Sequence, residues 1–173
     1  MATSSPSSSS TTSRATTAAP ANATTDAATL AHVRAYWDQI RSNSPIYAFL
    51  FSGIAVTHAA RGRIAATLPL TGVHVNSKGG LHGSVSATLV DWAGGLAITA
   101  WDGRAKNGVS VDIHVSYCAS AKEGDVVEVE GVVDKVGGTL AFTTVVLRRV
   151  VEGAERGEWP VVVRGTHTKF VRM

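Results

Sequence analysis

Asp91 stands in the middle of the stretch LHGSVSATLVDWAGGLAITA, from Leu81 to Ala100. A carboxylate there does little for helix propensity and costs free energy if it is buried unpaired. At helical spacing its neighbours one turn away are Ala87, Thr88, Gly94 and Gly95. Ser84, Thr88, Asp91 and Gly95 form one stripe of small or polar residues, beside a bulky stripe of Val85, Leu89, Trp92 and Leu96 and a third apolar line of Val90, Ala93 and Ala97. The helix is therefore expected to be buried over most of its circumference, with the small stripe facing a cleft or another subunit. Its entry, GGLHGS, places glycines where a ligand or a second backbone can come close. The first N–H groups of a helix are unpaired and carry the positive end of its dipole. A carbonyl oxygen gaining negative charge would be stabilised there, one such donor being worth about 3 kcal/mol in a transition state. An oxyanion donor and a carboxylate base on one helix outline a site for hydrolysing an acyl group. A solvent-facing Asp91, or one capping a neighbouring loop, is the other reading of the same spacing.

The remaining reactive residues narrow the chemistry. Strict alternation in GVSVDIHVSY puts Val109, Val111, Ile113 and Val115 on one face and Ser110, Asp112, His114 and Ser116 on the other. Ser110 then reaches Asp91 only across a subunit boundary or through a bulge. Cys118 is the single cysteine, which excludes an internal disulfide and a cysteine zinc cluster; it has no evident activating base and reads as a small packed residue. The six histidines are too dispersed to suggest a metal set. Trp37, Trp92, Trp101 and Trp159 read as core or interface residues.

Composition sets the frame for these residues. The chain has 173 residues, 45% hydrophobic and 17% charged, which suits one domain with room for a tail. Its formal net charge of +3 comes from scattered basic residues without a Lys/Arg run, so nucleic acid is not the expected partner, whereas an anionic small ligand fits. No apolar run reaches the roughly 20 residues of a membrane span; IYAFLFSGIAV is too short and is interrupted by Gly53. Residues 1–25 are Ser/Thr/Ala-rich with Arg14 as their one charge, and are expected to be a disordered tail or a weak mitochondrial transit peptide. A cytoplasmic or mitochondrial location follows from that reading.

The domain is expected over residues 26–173. Leu30, Val33, Trp37 and Ile40 recur at helical spacing, with Asp26 as the N-cap. IAVTHAA and RIAATLPL flank Arg61-Gly62 as a hairpin. After the helix carrying Asp91, four strands follow in a row: GVSVDIHVSY, DVVEVEGVVDKV, TLAFTTVVLRRV and WPVVVRGTHTKFV. Helix, hairpin, long helix and antiparallel meander make an α+β domain in which one helix fills the curve of a twisted sheet.

HGSVSATLVDWAGGLA resembles the HGG-x-x-x-x-L-x-D helix motif of hotdog-fold thioesterases, and GVSVDIHVSYCASAKEGD resembles the strand and loop that follow it in that family. GGTLAFTTVVL and GTHTKF complete a likeness to the phenylacetate-type acyl-CoA thioesterases, running from about the first helix to the C-terminus. The resemblance implies a hotdog fold, an antiparallel sheet wrapped around one long central helix. It implies a homodimer with active sites at its interface, and a dimer of dimers. The implied substrate is a fatty acyl-CoA of medium to long chain, with no metal and no cofactor beyond the CoA of the substrate itself. Residue by residue, Asp91 would activate the attacking water and Ser110 help hold it. Gly83 would give its backbone N–H to the thioester carbonyl, with Asn76 polarising it, and His82 would shape the loop. CoA and pantetheine contacts would come from Tyr117, Lys122, the run Lys135, Val136, Gly137, Gly138, Thr139 and Leu140, and from His167 and Lys169. Ser84 replaces the second glycine of the motif, and either caps the helix or narrows the site. A non-catalytic acyl-CoA binder or regulator on the same fold is the alternative, and a hydratase on the same scaffold a further rival.

Overall fold

Leu30, Val33, Trp37 and Ile40 share one face of helix α1 (Ala21–Asn43) in the computed structural model, which describes Met1 and residues 21–172. Asp26 lies inside this helix rather than capping it, so the expected boundary at residue 25 falls within an element; the remainder of the expected tail lies outside the described residues. Ser44 precedes Pro45, whose fixed φ suits a first helical turn, and a short helix α2 follows (Pro45–Leu50). Helix α2 is not among the expected elements, because six residues are too few to display a helical period. Among the described residues no helix is long and apolar enough to cross a membrane.

The hairpin forms where expected: β1 (Ala55–Ala60) and β2 (Arg63–Pro69) meet at Gly62, whose φ of 71° is the left-handed conformation. Helix α3 (Gly83–Asp102) ends at Gly103 in the same conformation. Strands β3 (Val109–Tyr117), β4 (Val126–Val136), β5 (Leu140–Arg149) and β6 (Val161–Phe170) complete one six-stranded antiparallel sheet. Its order is β1-β2-β4-β5-β6-β3. The expected four-strand meander is thus only partly present. β4, β5 and β6 are consecutive neighbours, but β3 pairs with β6 at the far edge. The helix decides this: α3 leaves β2, runs across the sheet, and delivers β3 to the opposite side.

Contact between α3 and the sheet is close because glycine stands where they cross. A Cβ on Gly131 would lie 2.7 Å from the Ala93 carbonyl oxygen, and one on Gly165 would lie 2.6 Å from a Val90 methyl. Every residue from Leu89 to Ala100 is buried except Asp91. Trp92 joins Trp37 and Phe51 edge-on, with ring centroids 5.4 and 5.9 Å away. That aromatic cluster docks α1 and α2 against the helix. His74, buried in the loop after β2, pins the end of α2: its Nδ1 accepts from the Thr71 N–H, so the ring proton sits on Nε2 and is donated to the Leu50 carbonyl at 2.6 Å.

Candidate active site

The carboxylate of Asp91 gathers side chains from three other elements. Tyr47 on α2 donates its hydroxyl to Oδ2 at 2.7 Å. Ser110 on β3 donates to Oδ1 at 3.1 Å, and the Lys169 ammonium on β6 donates to the same oxygen at 3.3 Å. His167, two residues before Lys169, places Nε2 2.9 Å from the Ser110 hydroxyl and 3.5 Å from Asp91 Oδ1. The Asp91 side chain keeps 27% of its surface exposed, whereas that of His167 keeps none and that of Lys169 5%. A cavity opens onto the carboxylate, lined also by Ser44, Ile46, Tyr47, Thr88 and Ile113.

Ser110 arrives through a β-bulge. Ser110 pairs with Lys169 and Asp112 with Thr168, so Val111 is the extra residue. Beyond it, Ile113 opposes the buried His167 and Tyr117 opposes the buried Val163, so the helix-facing set is Ser110, Ile113, Val115 and Tyr117. Strict alternation is broken at Val111, and Ser110 changes face.

Electrostatics follow from this packing. Burial alone would push the Asp91 carboxyl up, but Lys169, the Tyr47 hydroxyl, His167 and Ser110 outweigh it and hold the group below the usual carboxylate range. Burial and the adjacent Lys169 push His167 down to about 4, so its ring is neutral at pH 7. His167 Nδ1 is buried against Gly94 with no hydrogen-bond partner among the described residues. The tautomer that strands no N–H therefore carries its proton on Nε2 and donates to Ser110. Ser110 in turn donates its hydroxyl to Asp91 Oδ1. His167 has no lone pair facing Ser110, so this is not an activated serine nucleophile; the chain of donors converges on the carboxylate.

The second half of the site lies at the start of α3. His82 is the N-cap: its Nδ1 accepts from the Ser84 N–H at 3.1 Å and lies 2.7 Å from the Ser84 hydroxyl. The histidine, rather than Ser84, caps the helix. Gly83 N–H is left without an acceptor among the described residues. Asn76 Oδ1 accepts from the backbone of Lys78 and Gly80 at 2.9 and 3.3 Å, which turns its Nδ2 outward as a donor. Tyr117 covers this turn and donates to the Gly83 carbonyl at 3.1 Å; a Cβ on Gly83 would meet the tyrosine oxygen at 3.2 Å. Asn76, Gly83, Tyr117 and Cys118 line one cavity, separate from that of Asp91.

Gly83 and Asp91 do not belong to one site within one chain. Eight residues of helix separate them by about 12 Å along the axis, whereas a nucleophile must sit roughly 3–3.5 Å from the carbonyl it attacks. The residues expected to hold CoA divide the same way. Tyr117 covers the Gly83 turn and Lys122 bridges to Gly80 beside it. Lys135 to Leu140 turn at the other end of the sheet, where the Val171 N–H donates to the Thr139 carbonyl next to the Lys169 end of β6. His167 and Lys169 are not placed to meet CoA. Both are buried behind Asp91, because alternation along β6 turns them to the helix side with Gly165 and Val163. That alternation was present in the sequence and could have assigned them to the carboxylate. Gly95, expected to face a cleft or another subunit with the rest of its stripe, is buried against Asn107, and Gly94 beside it lies against Thr143 and His167. Among the described residues no group of three or more His, Cys, Asp or Glu side chains is arranged to hold a metal ion.

Comparison with known proteins gives a consistent result. The family model described as Thioesterase superfamily matches residues 78–154. Acyl-coenzyme A thioesterase 13 of Homo sapiens is 35% identical over 118 residues, 68% of this chain and 79% of that protein. A putative esterase of Schizosaccharomyces pombe is 31% identical over 144 residues, 83% of this chain and 84% of its own. The crystal structure of zebra fish thioesterase superfamily member 2 superposes with a TM-score of 0.67 at 34% identity, covering 80% of this chain and 91% of that one.

Proposed function

Since the chain belongs to the thioesterase superfamily, we propose that it hydrolyses fatty acyl-CoA, of medium to long chain, to the free acid and CoA, with Asp91 as the base. One observation carries this reading: a part-exposed carboxylate, held ionised by four polar side chains, opens onto a cavity with one acceptor position to spare. An ionised carboxylate of that kind takes a proton from water as the water attacks the thioester carbon. Negative charge then moves to the carbonyl oxygen, where the Gly83 N–H and Asn76 Nδ2 are free to donate. The tetrahedral adduct collapses with loss of the CoA sulfur as thiolate, and the proton held by Asp91 returns to it. CoA is part of the substrate and no separate cofactor is required.

The two halves meet in a homodimer. Among the described residues β3 has no neighbour on its outer edge, and Val109, Val111, Ile113 and Tyr117 are exposed along it. An unpaired apolar edge pairs readily with another strand. If β3 pairs antiparallel with β3 of a second copy about a twofold axis, the Ser110 end of one strand lies beside the Tyr117 end of the other. Asp91 of one protomer then faces Gly83 and Asn76 of its partner. Lys122 of one protomer and the turn after Lys135 of the other come together by the same operation, and CoA would lie between them. Such dimers would associate further into a dimer of dimers.

The test is steady-state release of free thiol from a panel of acyl-CoAs of varied length. Wild type should turn over, and Asp91→Asn should lose about two to four orders of magnitude in kcat while still binding substrate. Unchanged turnover in Asp91→Asn removes the residue from the mechanism; tight binding by wild type without thiol release leaves a binding protein on this fold.

A further inference from the structure

Tyr47 belongs to α2, an element outside the motif that carries the site, yet it makes the shortest hydrogen bond to the Asp91 carboxylate, 2.7 Å from Oδ2. Its ring is fixed on three sides. It stacks on Phe51 with centroids 5.8 Å apart, meets Trp37 edge-on at 6.0 Å, and rides on a helix whose last turn is pinned by His74. Burial and the facing carboxylate both push the Tyr47 phenol up, so its proton stays on the ring and remains a donor. The groups facing Asp91 are Tyr47 from α2, Ser110 from β3, and His167 and Lys169 from β6.

Counting acceptor positions shows what the tyrosine does. An ionised carboxylate offers about four. Ser110 and Lys169 both take Oδ1. Tyr47 takes one of the two on Oδ2. The one position left is on Oδ2, and both Asp91 and Tyr47 line the cavity beside it. Without the hydroxyl, Oδ2 would have two open positions and the carboxylate could rotate about its Cβ–Cγ bond.

We propose that Tyr47 is a positioning residue of the hydrolytic site, locking the Asp91 carboxylate so that a single Oδ2 lone pair is presented to the attacking water. The proposal rests on the reading of Asp91 as the base. It assigns to α2 a part in the reaction, through the hydroxyl alone, since a phenylalanine would keep every ring contact.

The experiment is a cycle of wild type, Tyr47→Phe, Asp91→Asn and the double variant, assayed for thiol release from acyl-CoA. Alongside it, the Asp91 carboxyl is titrated by 13C NMR in wild type and Tyr47→Phe. Tyr47→Phe should lower kcat roughly ten- to hundredfold with KM unchanged. The Asp91 midpoint and the acid limb of kcat/KM should both move to higher pH, because a hydrogen bond to the charged form is lost. In the Asp91→Asn background the same change should cost nothing further, since the group it positions is gone. A merely structural tyrosine would lower both backgrounds equally and leave the carboxyl titration where it was; that result, or wild-type kcat in Tyr47→Phe, overturns the proposal. Full turnover by Asp91→Asn alone would instead overturn the reading beneath it, and the two failures are told apart by which single variant stays active.

Discussion

Ser110 and Lys169 sit opposite each other across the β3·β6 pair, and both reach the same oxygen of Asp91, at 3.1 and 3.3 Å. The bulge at Val111 makes this convergence possible. Without it, and with Val111 kept in the strand, Ser110 would face away from α3, on the side of Asp112 and His114, and of this pair Lys169 alone would meet the carboxylate. A hydroxyl and an ammonium on one oxygen leave the other to Tyr47 and the water.

Deleting Val111 should remove the bulge and leave the serine in place. If the strand keeps its register from Asp112 onward, Ser110 then directly precedes the outward-facing Asp112, stays opposite Lys169, and is turned to α3 by alternation alone. Thiol release by the deletion variant should stay near wild type, and adding Ser110→Ala should lower it as much as Ser110→Ala lowers the intact chain. A folded deletion variant with only the turnover of Ser110→Ala would show that the register opposite Lys169 does not by itself deliver the serine.

Lys169 sets the acid limb of activity. Its charge opposes the burial that would otherwise push Asp91 up. With Asp91 as the proposed base, the reaction needs it ionised, and rate should fall as pH drops through its pKa. Lys169→Met should move that limb of kcat/KM upward by about one unit or more. A limb at the wild-type position would mean that Lys169 does not govern the carboxylate.

Gly94 is needed for packing, not for ligand access. A Cβ there would lie 2.7 Å from the Thr143 hydroxyl and 3.0 Å from His167 Nδ1. Gly94→Ala should cost about 1–3 kcal/mol in stability and disturb His167 and, through it, Ser110. Thermal melts and turnover should decline together. Unchanged stability would show that the helix can lift off β5 and β6 without loss.

Glu130 ties the outer face of the sheet. Arg63 and Arg148 donate to its carboxylate at 2.7 and 2.9 Å, and Arg156 approaches to 2.9 Å. Burial would raise Glu130, but hydrogen bonds from Arg156 and Arg148 win and hold it below its ordinary 4.5. A depressed carboxylate contributes stability above its unfolded pKa and loses it as pH falls through the folded one. Glu130→Gln should thus cost about 1–2 kcal/mol at pH 7, discounted because Arg63 and Arg156 are about half exposed. The difference in melting temperature should shrink as pH falls below 4.5. A difference constant across that range would contradict the linkage.

What was legible in the sequence, and what was not, follows the range of the interactions. The α3 stripe with Asp91, the glycine turn at Gly83 and the hairpin at Gly62 are local, and short spacing exposes them. Asn76 and Ser110 came from the resemblance of separate blocks. Strand order was not readable, because nothing in GVSVDIHVSY says that it will pair with β6 rather than with β4. The bulge at Val111 has no glycine or proline to mark it. Tyr47 lies 44 residues from Asp91 on a helix that an apolar run did not announce. His167 and Lys169 are an alternating pair on the last strand, yet the resemblance implies CoA contacts for them, whereas burial turns both to the carboxylate.

The central claim is that one site is built from two chains, and complementation tests it most directly. Asp91→Asn and Asn76→Ala should each be nearly inactive alone. Co-expressed in equal amounts and allowed to assemble at random, half of the dimers are mixed, and each mixed dimer holds one site with neither substitution. The preparation should recover about a quarter of wild-type kcat. Activity no higher than that of the two parents would mean that Asp91 and Asn76 serve the same site from one chain, contrary to the separation of Asp91 from the Gly83 turn along α3.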